Sequence, residues 1–144
     1  MNYDLILGII NIVLISTTPL VFAGIGELVT EKSGVLNLGL EGLMLVGAVS
    51  GFISLVITGN YFYSFILSIL SGVVLSSIFA FFVLRLLTNQ IATGLALTIF
   101  GIGLSAMLGK KFAGTPINGL SPYYLIIFSF ILVFLINYIL YKTK

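Results

Sequence analysis

Between Lys32 and Arg85 the chain carries a single charged residue, Glu41. The intervals Leu5–Gly26, Leu86–Gly109 and Phe112–Tyr141 carry none. A soluble domain spreads charge over roughly a quarter of its residues to meet water. Here 7% are charged and 60% are hydrophobic. Such a chain cannot cover a globular surface, so the expectation is an all-α, polytopic transmembrane helix bundle. At about 20 residues per crossing, the length allows about five or six spans.

Five apolar segments are read, at 5–28, 35–58, 62–87, 91–108 and 124–141. They make one transmembrane domain over 1–144. No Lys or Arg precedes the first run, so it is expected to be a retained span rather than a cleaved signal. Pro19, after Ser16-Thr17-Thr18, lacks an N–H and disfavours helix at Thr18, which predicts a kink or break. The hydroxyls of Thr17 or Thr18 are expected to meet the freed carbonyls. Glu27 to Ser33 reads as a short polar loop or helix end, with Glu31 and Lys32 solvated. The two prolines and two glycines of Lys110–Tyr123 predict a loop without regular structure. Five crossings put Lys32, Arg85, Lys142 and Lys144 on one side and Lys110 and Lys111 on the other. The positive-inside rule then sets the N-terminus outside and the C-terminus in the cytoplasm of a plasma-membrane (inner-membrane) protein.

The residue inventory excludes most chemistry. There is no Cys and no His, which removes thiol nucleophiles, thiolate metal sites and the commonest general base. No phosphate loop with its Lys occurs, so the chain cannot hydrolyse nucleotide itself. No Lys lies within a span to activate a Ser. A net charge of +2 with scattered cations offers no nucleic-acid surface. Neither an enzyme nor a cofactor-binding chain is expected.

What remains is polar or small residues at telling spacings. Thr30–Gly47 holds Glu31, Glu41 and the glycines Gly34, Gly39, Gly42 and Gly47. A helix that starts near Ser33 would put Glu41 at apolar depth, where a charge faces protein or a wet cavity. Asn37 and Glu41 are four apart, so a helix would put amide and carboxylate on one face. They are read as a buried polar pair, as path lining, or as plainly exposed at the interface. Gly34, Gly39 and Gly42 are candidate breaks of a segment that is re-entrant where protein covers it. Ser68, Gly72 and Ser76, with Ser64 and Ala80, form a small-residue seam, as do Gly101, Ser105 and Gly109. Gly47 and Gly51 form a GxxxG pair. Asn89, Gln90 and Thr93 are polar residues at a helix end, with path lining as their sharper reading.

The run Thr18–Gly47, TPLVFAGIGELVTEKSGVLNLGLEGLMLVG, resembles the N-terminal signature of one permease family. It is the membrane subunit of ABC importers for nucleosides and simple sugars, related to the ribose and branched-chain amino-acid permeases. Asn89–Thr98, NQIATGLALT, looks like a second segment of that family. The likeness reaches nearly the whole chain, yet covers only about the first half of such a permease.

The resemblance implies a second permease subunit, cytoplasmic ATP-binding subunits that use ATP, an extracytoplasmic solute-binding protein and surrounding lipid. It implies no cofactor bound by this chain. Pro19 and the Gly34–Gly47 stretch become candidate flexible points for alternating access. The competing expectation is a non-transporting, truncated remnant or assembly partner. A small channel acting alone is a third, and nothing in the sequence repeats to form a ring of charge for it.

Overall fold

A computed structural model describes residues 3–119 and 122–142. Among them, five helices are long and apolar enough to cross a membrane. They are α1 (Tyr3–Lys32), α2 (Leu40–Thr58), α3 (Tyr61–Ala80), α4 (Gln90–Gly109) and α5 (Pro122–Lys142). The chain divides into two compact units, one of residues 1–33 and 119–144, the other of residues 34–118.

In the first unit α1 and α5 run parallel. Phe22 meets Phe128 with ring centroids 6.0 Å apart. Further along, Lys32 Nζ donates to Leu140 O at 2.9 Å and sits 3.4 Å from the centre of the Tyr141 ring. Of the two readings, loop or helix end, Lys32 takes the second and stays exposed. It lies in the last turn of α1, and its charge is shared between a carbonyl and an aromatic face.

Pro19 does not break α1, which is one helix from Tyr3 to Lys32. Pro19 withholds an N–H from Ile15 O, but the flanking hydroxyls bond earlier carbonyls. Thr17 Oγ1 donates to Val13 O at 2.9 Å and Thr18 Oγ1 to Leu14 O at 2.8 Å. These bonds lock the turn before the proline, so one missing rung is tolerated.

The second unit is organised around α2. Gly59, at φ +66°, turns the chain back while its N–H closes onto Leu55 O. Asn60 then caps α3 by accepting from Phe62 N. The resulting antiparallel hairpin is closed by serines. Ser64 Oγ donates to Gly51 O at 2.7 Å and Ser68 Oγ to Gly47 O at 2.8 Å. Ser50 and Ser71 share a 2.7 Å hydroxyl bond. The expected GxxxG pair is thus the α2 side of this seam.

The α3 stripe departs from the seam half-way down. Nothing approaches Gly72 within 4 Å, and Ser76 bonds Val73 O of its own helix. Leu75, Phe79 and Val83 turn inward instead, joining Val46 and Leu97 in a small core. Continuing α3, Phe81–Arg85 forms a π-helical turn closed by Leu86 N on Phe81 O. The apolar run to Leu87 therefore leaves regular α-helix at Ala80 and ends its helical turns at Arg85. Leu87 leaves at φ +52°, a conformation costly for a branched side chain.

α4 runs parallel to α2 but out of step with it. Residues Leu38 and Gly39 lie against Gly94 and Leu97, Gly42 against Leu97, Thr98 and Gly101, and Val49 against Gly109. So α4 begins well before α2 and ends beside its middle. A short 3-10 turn, Lys110–Phe112, follows, where a loop without regular structure was expected. Residues 113–118 then reach the α2–α3 turn, where the Tyr61 hydroxyl donates to Asn118 O. The expected loop also included residues 120 and 121, which lie outside the described residues.

Candidate functional site

The second segment is not a helix from its apolar start. Gly34 turns the chain at φ +85°, and residues 35–37 are irregular, followed by a turn into Leu40. Helix α2 therefore starts only at Leu40. Gly39 is the N-cap of α2 with φ −81° and no side-chain cap bond. Gly42 is no break: it is a buried residue inside α2, placed so that a Cβ there would come 2.6 Å from Leu97 O.

Asn37 and Glu41 are consequently not paired on one helix face. Asn37 lies three residues before the helix, is 7% exposed, and its Oδ1 accepts from Gly39 N at 2.9 Å. Glu41 lies in the first turn of α2 and is exposed. Its negative charge suits the positive end of the helix dipole.

Unwound backbone packed against another helix needs partners, and α4 supplies them. Gln90 Oε1 accepts from Leu36 N at 2.8 Å. Two turns on, Thr98 Oγ1 donates to Leu38 O at 2.9 Å. Between them Gly94 leaves room: a Cβ there would stand 2.9 Å from Leu38 N. Gly101 completes the groove, where a Cβ would stand 2.5 Å from the Gly42 Cα. Thus Gly101 is a packing residue, whereas Ser105 bonds only Ile102 O of its own helix.

The α4 start is built to hold this groove open. Asn89 Oδ1 accepts from Ile91 N and Ala92 N, capping the helix. Thr93 Oγ1 donates to Asn89 O and shares a 2.8 Å bond with Thr88 Oγ1. So Asn89 and Thr93 stabilise the helix end, and Gln90 alone of the three reaches the unwound segment. Gly94 and Thr98 were missed as site residues. The signal was present as small or hydroxyl residues at 94, 98 and 101, one face of a helix.

On the other side of α4 an apolar cleft of about 510 Å³ opens towards α3, lined by residues that include Phe79, Phe82, Ala96 and Phe100. No group of three or more acidic, His or Cys side chains that could hold a metal occurs among the described residues. The arrangement suits holding backbone and placing one carboxylate. It does not assemble a nucleophile with a base.

Residues 9–144 match the family described as the permease component of branched-chain amino-acid transport systems. The chain belongs to this family. It is 40% identical over 112 residues to a putative glucose ABC transporter permease of Haloferax volcanii, covering 78% of this chain and 34% of that protein. It is 51% identical over 37 residues to a nucleoside ABC transporter permease of Lactococcus lactis subsp. cremoris, covering 26% of this chain and 12% of that protein. It is 45% identical over 40 residues to a guanosine ABC transporter permease of Bacillus subtilis, covering 28% and 12%. The chain thus spans about a third of the length of the first of these relatives. No solved structure matches it.

Proposed function

We propose that this chain serves as the permease component, or part of one, of an ATP-driven importer for simple sugars or nucleosides. The family match over residues 9–144 carries this reading, and the names of the relatives supply the solute classes. The five spans act as one permease domain. Cytoplasmic ATP-binding subunits use the ATP, a second permease subunit completes the path and an extracytoplasmic binding protein delivers solute. The N-terminus lies outside and the C-terminus in the cytoplasm of the plasma membrane.

Within this reading Glu41 is the residue that meets the path, because it is exposed at the opening of α2. Asn37, Asn89, Gln90 and Thr93 act behind it, on backbone. The functional test is uptake in the native host after deletion of the coding sequence. Loss of radiolabelled glucose or guanosine uptake, restored by the 144-residue chain, is expected. Unchanged uptake of both, with no ATP-binding subunit co-purifying, would leave a non-transporting membrane protein. For the site, Glu41→Gln and Glu41→Leu are compared in the complementing chain. Uptake is expected to fall at least about tenfold for Leu, which removes the polar group altogether. Wild-type uptake and expression in the Leu variant would remove Glu41 from the path.

A further inference from the structure

The apolar cleft between α3 and α4 lies wholly within residues 34–118 and takes no part in holding the unwound segment. Buried Phe79 and Leu97 form its floor. On α4, Ala92, Ala96 and Phe100 follow one another every fourth residue along one helix face, and the two alanines leave the hollow. The polar side chain in the lining is Thr93, and its hydroxyl already donates to Asn89 O and bonds Thr88 Oγ1. A sugar or a base would find no free side-chain donor here, and burying its polar groups unpaired is costly. Hydrocarbon would meet no such cost.

The cleft also has the length of one membrane leaflet and a cation at its mouth. Ala92 and Phe100 are eight residues apart, about 12 Å of helix, against about 15 Å for half the hydrocarbon core. At the end where α4 begins, Phe82 lines the cleft from the π-helical turn. Arg85 closes that turn three residues on and is exposed. Among the described residues it makes no ion pair. The amides of Ile91 and Ala92 at the start of α4 are taken by Asn89 Oδ1, so Arg85 is the group left to meet an anion there. A guanidinium matches a phosphate in charge and in geometry. We propose that this cleft seats one acyl chain of an anionic phospholipid whose phosphate is held by Arg85. The acyl chain runs from Phe82 towards Phe100, and the headgroup stays beside the α3–α4 connection. The inference stands on this unit and does not need the importer reading.

The chain has no Trp, so an introduced one reports alone. Phe100→Trp keeps an aromatic ring in the cleft. Ile99→Trp puts one next to it, at an exposed position of α4 outside the lining. Each 144-residue variant is reconstituted in vesicles of phosphatidylcholine and phosphatidylglycerol, with one lipid or the other brominated along its acyl chains. Half-quenching of Phe100→Trp should need about fivefold less brominated phosphatidylglycerol than brominated phosphatidylcholine, the preference that one arginine at a membrane surface confers. Ile99→Trp should show no preference. Adding Arg85→Gln should abolish the preference at position 100, and Arg85→Lys should keep part of it. Equal quenching of Phe100→Trp by both lipids would overturn the site, leaving only bulk lipid in the cleft. So would the same preference at positions 99 and 100, which reports a charged lipid annulus rather than a seat. No quenching of Phe100→Trp by either lipid would overturn it in favour of a protein segment that covers the cleft. A preference that survives Arg85→Gln would overturn the hold on the phosphate.

Discussion

Gly101 shows how a missing side chain places the site. A Cβ on it would stand 2.5 Å from the Gly42 Cα and 2.7 Å from Gly42 O, and both are backbone atoms that cannot rotate away. Gly101→Ala should therefore push α2 off α4 and destabilise the unit by about 1–3 kcal/mol, the usual range for overpacking. Gly103, two residues on, has nothing within 4 Å. Gly103→Ala should be neutral or stabilising by up to about 1 kcal/mol through helix propensity. Denaturant unfolding in micelles, followed by circular dichroism, compares the two; equal effects would mean that the close approach does not exist in solution. Asn89 gives a milder case at the same scale. Its Oδ1 satisfies two amides at the start of α4, so Asn89→Ala should cost about 1 kcal/mol. The same unfolding experiment reads that loss, and Asn89→Asp should recover most of it.

Helix existence was legible in the chain because uncharged apolar length is a strong signal; helix ends were not. Residues 35–40 read as apolar, so a local window continues α2 through them, yet the structure starts the helix at Leu40. The deciding group is Gln90, far along the chain, whose side chain takes the Leu36 amide that a helix would have used. Pro19 fails in the opposite sense: a local breaker is absorbed because neighbouring threonines tie down the turn before it. The α3 stripe was half right for a similar reason. Serines at 64 and 68 find carbonyls on α2, whereas Gly72 and Ser76 share their spacing but face away from it. Spacing defines a face, and only the partner decides how far along it the contact runs. The Ser50–Ser71 bond lies off the predicted row and tests how much such contacts matter between elements. Ser50→Ala and Ser71→Ala in a double-mutant cycle should couple by about 0.6 kcal/mol, typical for hydroxyl pairs in membrane bundles. A coupling indistinguishable from zero would remove the Ser50–Ser71 bond from the hairpin's stability.

Across the whole molecule, helix direction and charge make a joint statement about the membrane. α2 is antiparallel to α3 and parallel to α4, while in the other unit α1 is parallel to α5. Each relation is the one that five successive crossings require. Arg85 then closes α3 on the side of the α3–α4 connection, and Lys110 and Lys111 follow α4 on the opposite side. The positive-inside rule counts cations near span ends; five successive crossings would put Lys32, Lys142 and Lys144 on the side of Arg85, and these four would outnumber that pair. The α3–α4 connection should therefore face the cytoplasm. The absence of cysteine makes this directly testable, because any single introduced thiol is the only one present. Leu87 is 83% exposed in that connection, and Thr115 is exposed beyond α4. In intact cells a membrane-impermeant maleimide should label Thr115→Cys and leave Leu87→Cys unlabelled until the membrane is opened. The reverse pattern would invert the topology and place the carboxylate-bearing opening of α2 towards the outer half of the membrane. Labelling of both sites in sealed cells would mean that α4 does not separate two compartments. The second result matters because α4 ends beside Val49, in the middle of α2, and residues 113–118 must carry the chain the rest of the way. Irregular backbone at that depth survives only against protein or water. Protection of Leu87→Cys with labelling of Thr115→Cys would show that α4 and its irregular continuation together complete one crossing.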